Sequence, residues 1–232
     1  MKQWLIALSC FVCSAAYAQI DLGVGGAFES PFLFSKAAGG YNHYTGVPAL
    51  RLDVTAISWG ETFHPGATVS IAPYILPVSK IGNTDKALLM EFFTVNAMFF
   101  AKIVKDLPDN KQLLFGVGIG ATYLQGKGVG FSGDYAGYSS INQDSADYIK
   151  TVMPQVNLGL EIRRPIATSK HVGVALGINV IYSYYFERKT TWRIDVVDNN
   201  YNYYKLNPSL GGHMLNPALY AMLYYRFDRG NR

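Results

Sequence analysis

Charge is scarce in this sequence, and no apolar run is long enough to form a membrane-spanning helix. Only 16% of the residues are Asp, Glu, Lys or Arg, while 50% are hydrophobic; an ordinary soluble domain carries roughly 25% charged residues. This balance indicates that something other than water covers part of the surface. The net charge is only +4, and no basic stretch is interleaved with stacking aromatics, so nucleic-acid binding is not expected.

Cysteine is confined to the N-terminal segment, as Cys10 and Cys13. That segment is typical of an export signal, with Lys2 before an apolar run over 4–12. A retained membrane anchor is the alternative, but the run is far shorter than the roughly 20 residues that a spanning helix needs. The mature chain is therefore expected to contain no disulfide, although disulfides form readily in an oxidising compartment.

The residues that follow the apolar run predict where the signal is removed. Ala16 and Ala18 form an A-x-A cleavage site, which predicts cleavage between Ala18 and Gln19. Residues 1–18 would then be a cleaved signal peptide. Residues 19–232 would form one domain, since no linker divides them.

Strict alternation of apolar with polar or small residues is the strongest pattern after Gln19. Leu22 and Val24, for example, alternate with Asp21, Gly23 and Gly25. A period of two defines a strand with two unlike faces. The segments predicted as strands are 20–29, 50–56, 67–72, 87–104, 115–123, 155–163, 172–186 and 219–227.

The segment 87–104 is more uniformly apolar than the other seven. A buried or membrane-spanning helix is the alternative there, but Glu91 and Asn96 lie in its middle, and polar groups are costly inside a bilayer. As a strand it is longer than a membrane crossing needs. We therefore expect a bulge, or an extension beyond the membrane.

The links between the predicted strands alternate in length. The odd-numbered links are the longer ones, whereas the even-numbered links are short, as at 60–65, 106–110 and 165–171. This rhythm is typical of bacterial outer-membrane barrels, which have short periplasmic turns and longer outer loops. The sequence thus predicts an all-β fold: an eight-stranded antiparallel up-and-down transmembrane β-barrel with both termini periplasmic. Eight strands enclose little more than side-chain volume, so the lumen should be filled.

The composition of the two faces predicts which one is outside. A secreted, lipocalin-like ligand-binding barrel would turn its apolar face inward and cover the other face with Lys, Glu and Thr. Here the second face is largely Gly, Ala, Ser and Asn, which suits a crowded lumen. The residues predicted to face lipid are Leu22, Leu50, Leu52, Val117, Ile119, Leu158, Leu160, Val174, Leu176, Ile178 and Leu223.

Aromatic residues lie at or near the ends of the predicted strands, where amphipathic rings form girdles at membrane–water interfaces. The expected girdle residues are Phe28, Trp59, Phe63, Tyr74, Tyr123, Tyr182, Tyr184, Phe186, Tyr225 and Phe227.

Charges on the small-residue face predict ion pairs inside the lumen. Asp21 opens the first strand and Arg226 closes the last, and these strands are neighbours in a closed barrel. Glu29 and Arg51 lie near the outer ends of the first two strands. We expect both pairs to form, because a dry, unpaired charge costs several kcal/mol.

The sequence offers no catalytic constellation. His64 and His171 fall in predicted periplasmic turns, and His43 and His213 in outer loops; none lies beside an alternating Ser or Asp on a strand. We nominate no catalytic, cofactor-binding or metal-binding residue, although a lipid-modifying outer-membrane enzyme remains an alternative. Acidic residues in the outer loops lack the regular spacing of a calcium site.

Two outer loops are rich in tyrosine, aspartate and asparagine, the chemistry of contact surfaces. They span 126–151 and 188–213, and in the second the runs 191–197 and 201–206 flank Asp198-Asn199-Asn200. That arrangement predicts a hairpin standing above the membrane. Protein or glycan partners would be met there.

The last predicted strand ends in Phe227, similar to the C-terminal recognition signal of outer-membrane barrels, although residues 228–232 extend past it. With the export signal, the size and the hairpin rhythm, the chain resembles the outer membrane protein beta-barrel domain family, the PorT-like small porins. The resemblance implies the outer-membrane location and the barrel fold more than an activity. The interpretation we favour from the sequence is a non-enzymatic barrel in contact with outer-membrane lipid, with a structural, adhesive or narrow-channel role.

Overall fold

A computed structural model shows the arrangement of strands in this protein. It describes residues 19–34, 46–57, 62–81, 87–131, 138–141, 150–166, 169, 171–189, 194–197, 203–206 and 209–227. The predicted signal peptide, with Ala18 of its cleavage site, lies outside the described residues. No helix in the described part is long and apolar enough to cross a membrane.

Strands make up almost all of the described chain. Their bounds are β1 (Gln19–Glu29), β2 (Phe32–Phe34), β3 (Val47–Ile57), β4 (Phe63–Lys80), β5 (Ala87–Leu107), β6 (Lys111–Phe131), β7 (Tyr138–Ile141), β8 (Lys150–Pro165), β9 (Val172–Lys189), β10 (Ile194–Val197), β11 (Tyr203–Leu206) and β12 (Ser209–Phe227).

Eight of these strands close into a ring in the order β1-β3-β4-β5-β6-β8-β9-β12, and β12 pairs with β1. Each pairing in the ring is antiparallel, and the closing register runs from Ile20↔Phe227 to Glu29↔Ala218. The predicted eight-stranded up-and-down barrel is therefore confirmed. Below, the end that holds Gln19 and Phe227 is called the base, and the opposite end the top.

The alternation of side chains separates the two faces of the barrel wall as the sequence predicts. On β1, Asp21 is buried while Leu22 and Val24 are exposed, because successive side chains point to opposite sides of a strand. All eleven residues predicted to face lipid are exposed, from 37% at Val174 to 66% at Ile119. A lipocalin-like barrel needs the reverse arrangement, so the outward apolar face argues against that alternative.

The segment 87–104 belongs to β5, a strand of 21 residues, so the helical alternative is wrong. A membrane crossing needs only about 9–11 residues of strand. The exposed apolar side chains on the outer wall of the ring form a band that we call the apolar belt. Both expected consequences of the excess length are present: β5 extends past the apolar belt, and its ladder with β6 shifts register between Glu91 and Phe92.

Two links differ from their predicted length. Residues 77–86 lie between the predicted strands 67–72 and 87–104 and so belong to a predicted link, but β4 continues to Lys80, with a register shift between Pro77 and Ser79 that absorbs one extra residue. The turn between β5 and β6 is shorter than predicted, because Leu107 already pairs with Lys111. Asp109 and Asn110 adopt positive φ angles of 61° and 56°, which suit a tight hairpin and are tolerated by these residue types.

Short strands stand at the top of the barrel. β2 pairs with the upper part of β12, with Phe34 opposite His213. The predicted hairpin in the last long link is confirmed, since β10 pairs with β11 from Ile194↔Leu206 to Val197↔Tyr203. β7 joins the other edge of β10, so residues from two different links form one three-stranded sheet.

Most predicted girdle residues lie on the outer surface. Phe28, Tyr123, Tyr182, Tyr184, Phe186, Tyr225 and Phe227 are exposed, whereas Phe63 is half-buried. Trp59 lies outside the described residues. The prediction is wrong for Tyr74, which is completely buried in the lumen, because it shares the even-numbered face of β4 with Thr68 and Ser70.

Leu176 tests the outward face. It is 61% exposed on β9, and Leu176→Arg should lower the free energy of unfolding by about 2–4 kcal/mol if the residue lies near the bilayer midplane. Ile166→Arg, at an exposed position just beyond β8 at the base, is the control and should cost about 0–1 kcal/mol. Equilibrium unfolding from lipid vesicles measures both; equal costs would contradict the proposed depth of Leu176.

Candidate functional site

The base half of the lumen holds seven charged side chains whose signs alternate along a continuous chain of contacts. They come from five strands, and all but Arg226 are buried. In order of contact from the base inward they are Arg226, Asp21, Arg163, Glu161, Lys102, Asp53 and Arg51. We call this set the ionic chain.

Asp21 is the first carboxylate of the ionic chain, and it binds two guanidinium groups. Arg226 donates from Nε to Oδ1 at 2.8 Å and from a terminal nitrogen to Oδ2 at 2.9 Å. Arg163 donates to Oδ2 at 2.8 Å. The structure thus brings together the predicted pair of Asp21 and Arg226, which are also direct partners in the β1–β12 ladder.

The inner part of the ionic chain crosses the lumen. Arg163 contacts Glu161, two residues away on β8, and Glu161 accepts from Lys102 Nζ at 2.9 Å. Lys102 also reaches Asp53 Oδ2 at 3.4 Å, and Arg51 approaches the same oxygen at 3.4 Å. Each inner carboxylate therefore contacts two cations, which offsets much of the cost of burying it.

Neutral side chains complete the coordination of these charges. Thr55 and Thr68 donate to the Asp53 carboxylate at 3.0 and 3.1 Å, and Tyr220 donates to Glu161 at 2.7 Å. The Arg51 guanidinium also lies 4.0 Å from the centroid of the Tyr220 ring, a cation–π contact. The polar atoms of the ionic chain are thereby largely satisfied without bulk water.

Glycine on the lumen face of β9 makes room for the tyrosines of β12. A Cβ atom at Gly177 would lie 2.4 Å from the hydroxyl of Tyr220, and one at Gly173 would lie 2.2 Å from the hydroxyl of Tyr224. Both distances are far inside van der Waals contact. The phenol rings therefore lie across the wall of β9, where Tyr220 can reach Glu161.

The structure does not bring the predicted pair of Glu29 and Arg51 together. Glu29 stands opposite Val47 in the β1–β3 ladder, whereas Arg51 stands opposite Gly25, so four residues of register separate them. Glu29 instead accepts a hydrogen bond from Asn216 at 3.0 Å and from Ser70 at 3.3 Å, and it also contacts the Tyr74 hydroxyl.

A layer of amide and hydroxyl groups lies beside Glu29 and extends across the lumen. Asn96 donates to Ser70 at 3.1 Å, Thr122 contacts the other end of the Asn96 amide, and Thr122 donates to Gln155 at 2.7 Å. These side chains belong to β4, β5, β6 and β8. Hydrogen bonds therefore tie four neighbouring strands together from the inside.

Above this polar layer the lumen is apolar. Its side chains are completely or almost completely buried and form one contiguous core, to which β2 contributes Leu33 and β11 contributes Leu206. The ring strands supply Leu76, Val78, Leu88, Met90, Phe92, Leu124, Met153, Tyr185, Leu210 and Met214. We call this set the apolar plug.

Little free volume is left inside the barrel. A cavity of about 10 Å³ lies between Arg51, Lys102, Glu161, Asn157 and Tyr220, which is space for about one water molecule. The base, in contrast, opens into a vestibule of about 1030 Å³ between the β5–β6 and β8–β9 turns. The described lumen is thus open at the base and filled above it.

The histidines of the described residues lie in different surroundings. His64 is buried in the lumen. His171 contacts the backbone carbonyl of Arg226 at the base, and His213 contacts the Tyr182 hydroxyl near the top. His43 lies outside the described residues. Among the residues that the structure describes, no group of three or more His, Cys, Asp or Glu side chains is placed to hold a metal ion.

Sequence reasoning found the two ends of the ionic chain but missed its centre. Asp53, Lys102, Glu161 and Arg163 all lie on the lumen face of their strands. Their position in the alternation was therefore a usable signal, because Asp53, Lys102 and Glu161 fall between apolar residues and Arg163 follows the outward Ile162. The partner of each could not be assigned, since contacts across the lumen depend on the stagger of non-adjacent strands.

Comparison with known proteins finds similarity in fold. No protein-family model matches the sequence, and no curated protein sequence matches it. Among solved structures, Neisserial surface protein A aligns with a TM-score of 0.46 at 10% identity, over 90% of this chain and 97% of that one. The resemblance to PorT-like porins therefore stays a prediction.

Two further structures align in the same way. One is Ail, the attachment invasion locus protein of Yersinia pestis, solved in complex with the heparin analogue sucrose octasulfate; its TM-score is 0.47 at 8% identity, over 90% of this chain and 99% of that one. The other is outer membrane protein AlkL in lipid bilayers, with a TM-score of 0.42 at 13% identity, over 93% and 92%.

Asp21 tests the energetic role of the ionic chain. Asp21→Asn removes the charge between Arg226 and Arg163, and should lower the free energy of unfolding by about 3–5 kcal/mol, because Arg226 loses its carboxylate partner and the buried Arg163 loses one of its two. The control is Asp109→Asn at the exposed pair with Lys111, where the aspartate side chain is 74% exposed; it should cost at most about 1 kcal/mol. Urea unfolding from lipid vesicles measures both. Equal effects would show that the ionic chain is not a stabilising feature.

Proposed function

We propose that this protein is a non-enzymatic β-barrel of the bacterial outer membrane, a closed anchor that presents its top surface to the exterior. The observation that carries the proposal is the combination of two surfaces. The outside of the ring is apolar, and the inside is filled by the ionic chain, the polar layer and the apolar plug. Such a wall suits lipid, while such a lumen leaves no path for solutes.

The apolar belt has the height of a membrane crossing. On β8 the outward side chains Val152, Val156, Leu158, Leu160 and Ile162 are all exposed, and they span the 9–11 residues expected for a tilted transmembrane strand. Lys150 and Arg164, the charged residues that follow at the two ends of this run, are exposed as well. The belt therefore ends in charge on both sides, as a bilayer requires.

The lengths of the links support one orientation. The base carries the short turns and both ends of the described chain, and outer-membrane barrels place short turns and termini in the periplasm. The top carries β2, the three-stranded sheet of β7, β10 and β11, and the extension of β5. Export followed by cleavage after Ala18 would bring the chain to the periplasmic side, where both termini stay in this orientation.

The top surface is where we place function. The β7–β10–β11 sheet is built from the two tyrosine-rich links, and Tyr204 of β11 packs against the apolar plug. This contact fixes the sheet to the barrel, so contact residues there would be presented on a firm support. We infer a structural or adhesive role with protein or glycan partners. The apolar plug argues against the narrow-channel role.

Fractionation tests the location. The mature chain should begin at Gln19, remain in the outer-membrane fraction through an alkaline carbonate wash, and require detergent for release; density-gradient fractions and intact mass measure this. Ala18→Arg is the matched variant, and it should accumulate as the longer precursor because the A-x-A site is lost. Release of the wild-type protein without detergent would favour a soluble barrel and overturn the proposal.

Conductance tests the closed lumen. Purified protein in a planar bilayer should show small or no conductance, because side chains fill an eight-stranded barrel. Empty bilayers and bilayers with the stable control variant Asp109→Asn give the baseline. Wide, long-lived aqueous pores formed by the monomer would show that the lumen is not sealed, and the anchor role would then give way to a channel.

A further inference from the structure

A cluster of ring side chains lies on the outer surface near the top of β9 and β12. It consists of Tyr182, Tyr184, Phe186 and His213, and we call it the upper aromatic cluster. The Tyr182 hydroxyl lies 2.6 Å from His213 Nδ1, and the Tyr184 ring centroid is 5.1 Å from the imidazole. Phe186 meets Tyr184 edge to face at 5.2 Å. The three aromatic rings are exposed, at 40%, 39% and 62%.

An irregularity of the ladder directly above the cluster positions His213. The β9–β12 register shifts between Leu210 and Gly212, and Gly212 has a φ of 114°, which favours glycine. Below the shift the ladder is regular, so His213 stands opposite Tyr184, and Leu215 opposite Tyr182. His213 points outward and is exposed. The imidazole is therefore held on the outer surface, at the place where regular pairing stops.

A related cluster lies at the other end of the same two strands. His171 stacks on Tyr225 with ring centroids 6.2 Å apart, and Tyr225 meets Phe227 edge to face at 4.7 Å. Tyr225 follows His213 by 12 residues on β12. At roughly 3.3 Å per residue and a tilt of about 40°, the two clusters are about 30 Å apart along the barrel axis, the thickness of a hydrocarbon core.

Hydrogen-bond chemistry decides what the upper aromatic cluster can bind. With the Tyr182 phenol at Nδ1, Nε2 is the imidazole nitrogen that can face a ligand; Tyr184, whose ring centroid lies 5.1 Å from that of the imidazole, carries a hydroxyl. Both can donate to an anionic oxygen. This arrangement is complementary to a phosphate.

We propose that the upper aromatic cluster is a binding site for the phosphate headgroup of a membrane lipid. The cluster is continuous with the apolar belt, through Leu215, Val180 and Ile178, so an acyl chain can lie on the belt while its phosphate meets His213 and Tyr184. The inference rests on the proposed membrane location. It adds a specific lipid contact on one side of the barrel.

The test uses the full-length mature protein in maltoside detergent, which carries no phosphate. Dimyristoyl phosphatidylglycerol is added, and bound lipid is counted by native mass spectrometry. The double variant Tyr184→Phe/His213→Phe keeps the ring packing but removes both donors. It should bind this lipid at least about tenfold more weakly than the wild type, since hydrogen bonds to charged groups are the stronger ones.

Matched controls separate the headgroup from other effects. Tyr123→Phe removes an exposed hydroxyl on β6, outside the cluster, and should bind as the wild type does. A galactosyl diacylglycerol has the same chains without phosphate. It should bind to the wild type more weakly than phosphatidylglycerol does, and its binding should be the same for the wild type and both variants. Heat-modifiable migration in gels verifies that each variant is folded.

Three results would overturn the proposal: unchanged phosphatidylglycerol binding in the folded double variant, equal binding of the galactolipid by the wild type, or full displacement of the lipid by millimolar inorganic phosphate. The last would mark a site for free phosphate. Each of these leaves the protein in the membrane, whereas failure of the proposed location appears separately, as release without detergent in the fractionation experiment.

Discussion

Charge inside a closed barrel must be neutralised by the barrel itself, and this requirement shapes the base half of the protein. Lipid surrounds the wall in the proposed setting and little water fits the lumen, so each cation needs a carboxylate on another strand or close by. The ionic chain meets this need by alternation, with Asp21, Glu161 and Asp53 each placed between two cations. Its members tie β12, β1, β8, β5 and β3 together, so strands that are not neighbours in the ring become interdependent.

The sidedness of the wall reverses at the top, and this reversal explains the long strands. In the belt, apolar residues face outward and polar residues face inward. Above it, Glu91 and Lys150 are exposed on the outside, while Leu88 and Met90 are buried inside. The upper wall therefore has the pattern of a soluble protein, with a core in the middle and water around it. A strand such as β5 passes through both regimes, and the change of regime marks the edge of the bilayer.

That reversal also shows what the sequence could and could not specify. Alternation alone places Leu22 outside and Asp21 inside, because odd and even positions of a strand point to opposite faces, and both faces are fixed once one of them meets lipid. The same alternation places Asp21 and Arg226 on the inward face, where they meet once β1 pairs with β12. Alternation cannot fix the stagger between neighbouring strands. The sequence therefore predicts a pair of Glu29 and Arg51, although four residues of register separate them in the structure. Tyr74 was placed in a girdle by its residue type, although its even-numbered position on β4 turns it inward.

The uniformly apolar stretch 87–104 was ambiguous for the same physical reason. Its outward residues, such as Phe93 and Phe99, belong to the outer wall, while inward Leu88, Met90 and Phe92 belong to the apolar plug. Both faces of the strand are therefore apolar over part of its length, and the period of two disappears. Thr94, Asn96 and Lys102, buried on the inward face, keep the strand signature.

Proline lies where several ladders of the ring stop. The β3–β4 register runs from Leu50↔Ile71 to Thr55↔Gly66, and continuing it upward by two residues would set Pro48 against Pro73. Continuing it downward by one residue would set Ala56 against Pro65. Pro65 and Pro73 are both odd-numbered residues of β4, so their backbone nitrogens face the same edge of the strand. A proline nitrogen cannot donate, and prolines are therefore confined to unpaired edges.

The same rule holds elsewhere in the ring. The β8–β9 pairing reaches Gln155 and stops before Pro154, and the β1–β12 pairing stops at Ala218, next to Pro217. At that last position the Pro217 carbonyl still accepts a hydrogen bond from Ser30 at 2.9 Å, so the ladder loses only its donor. Strands of 11 and 21 residues can thus share one barrel, because proline blocks further pairing along one edge while the other edge continues to the top.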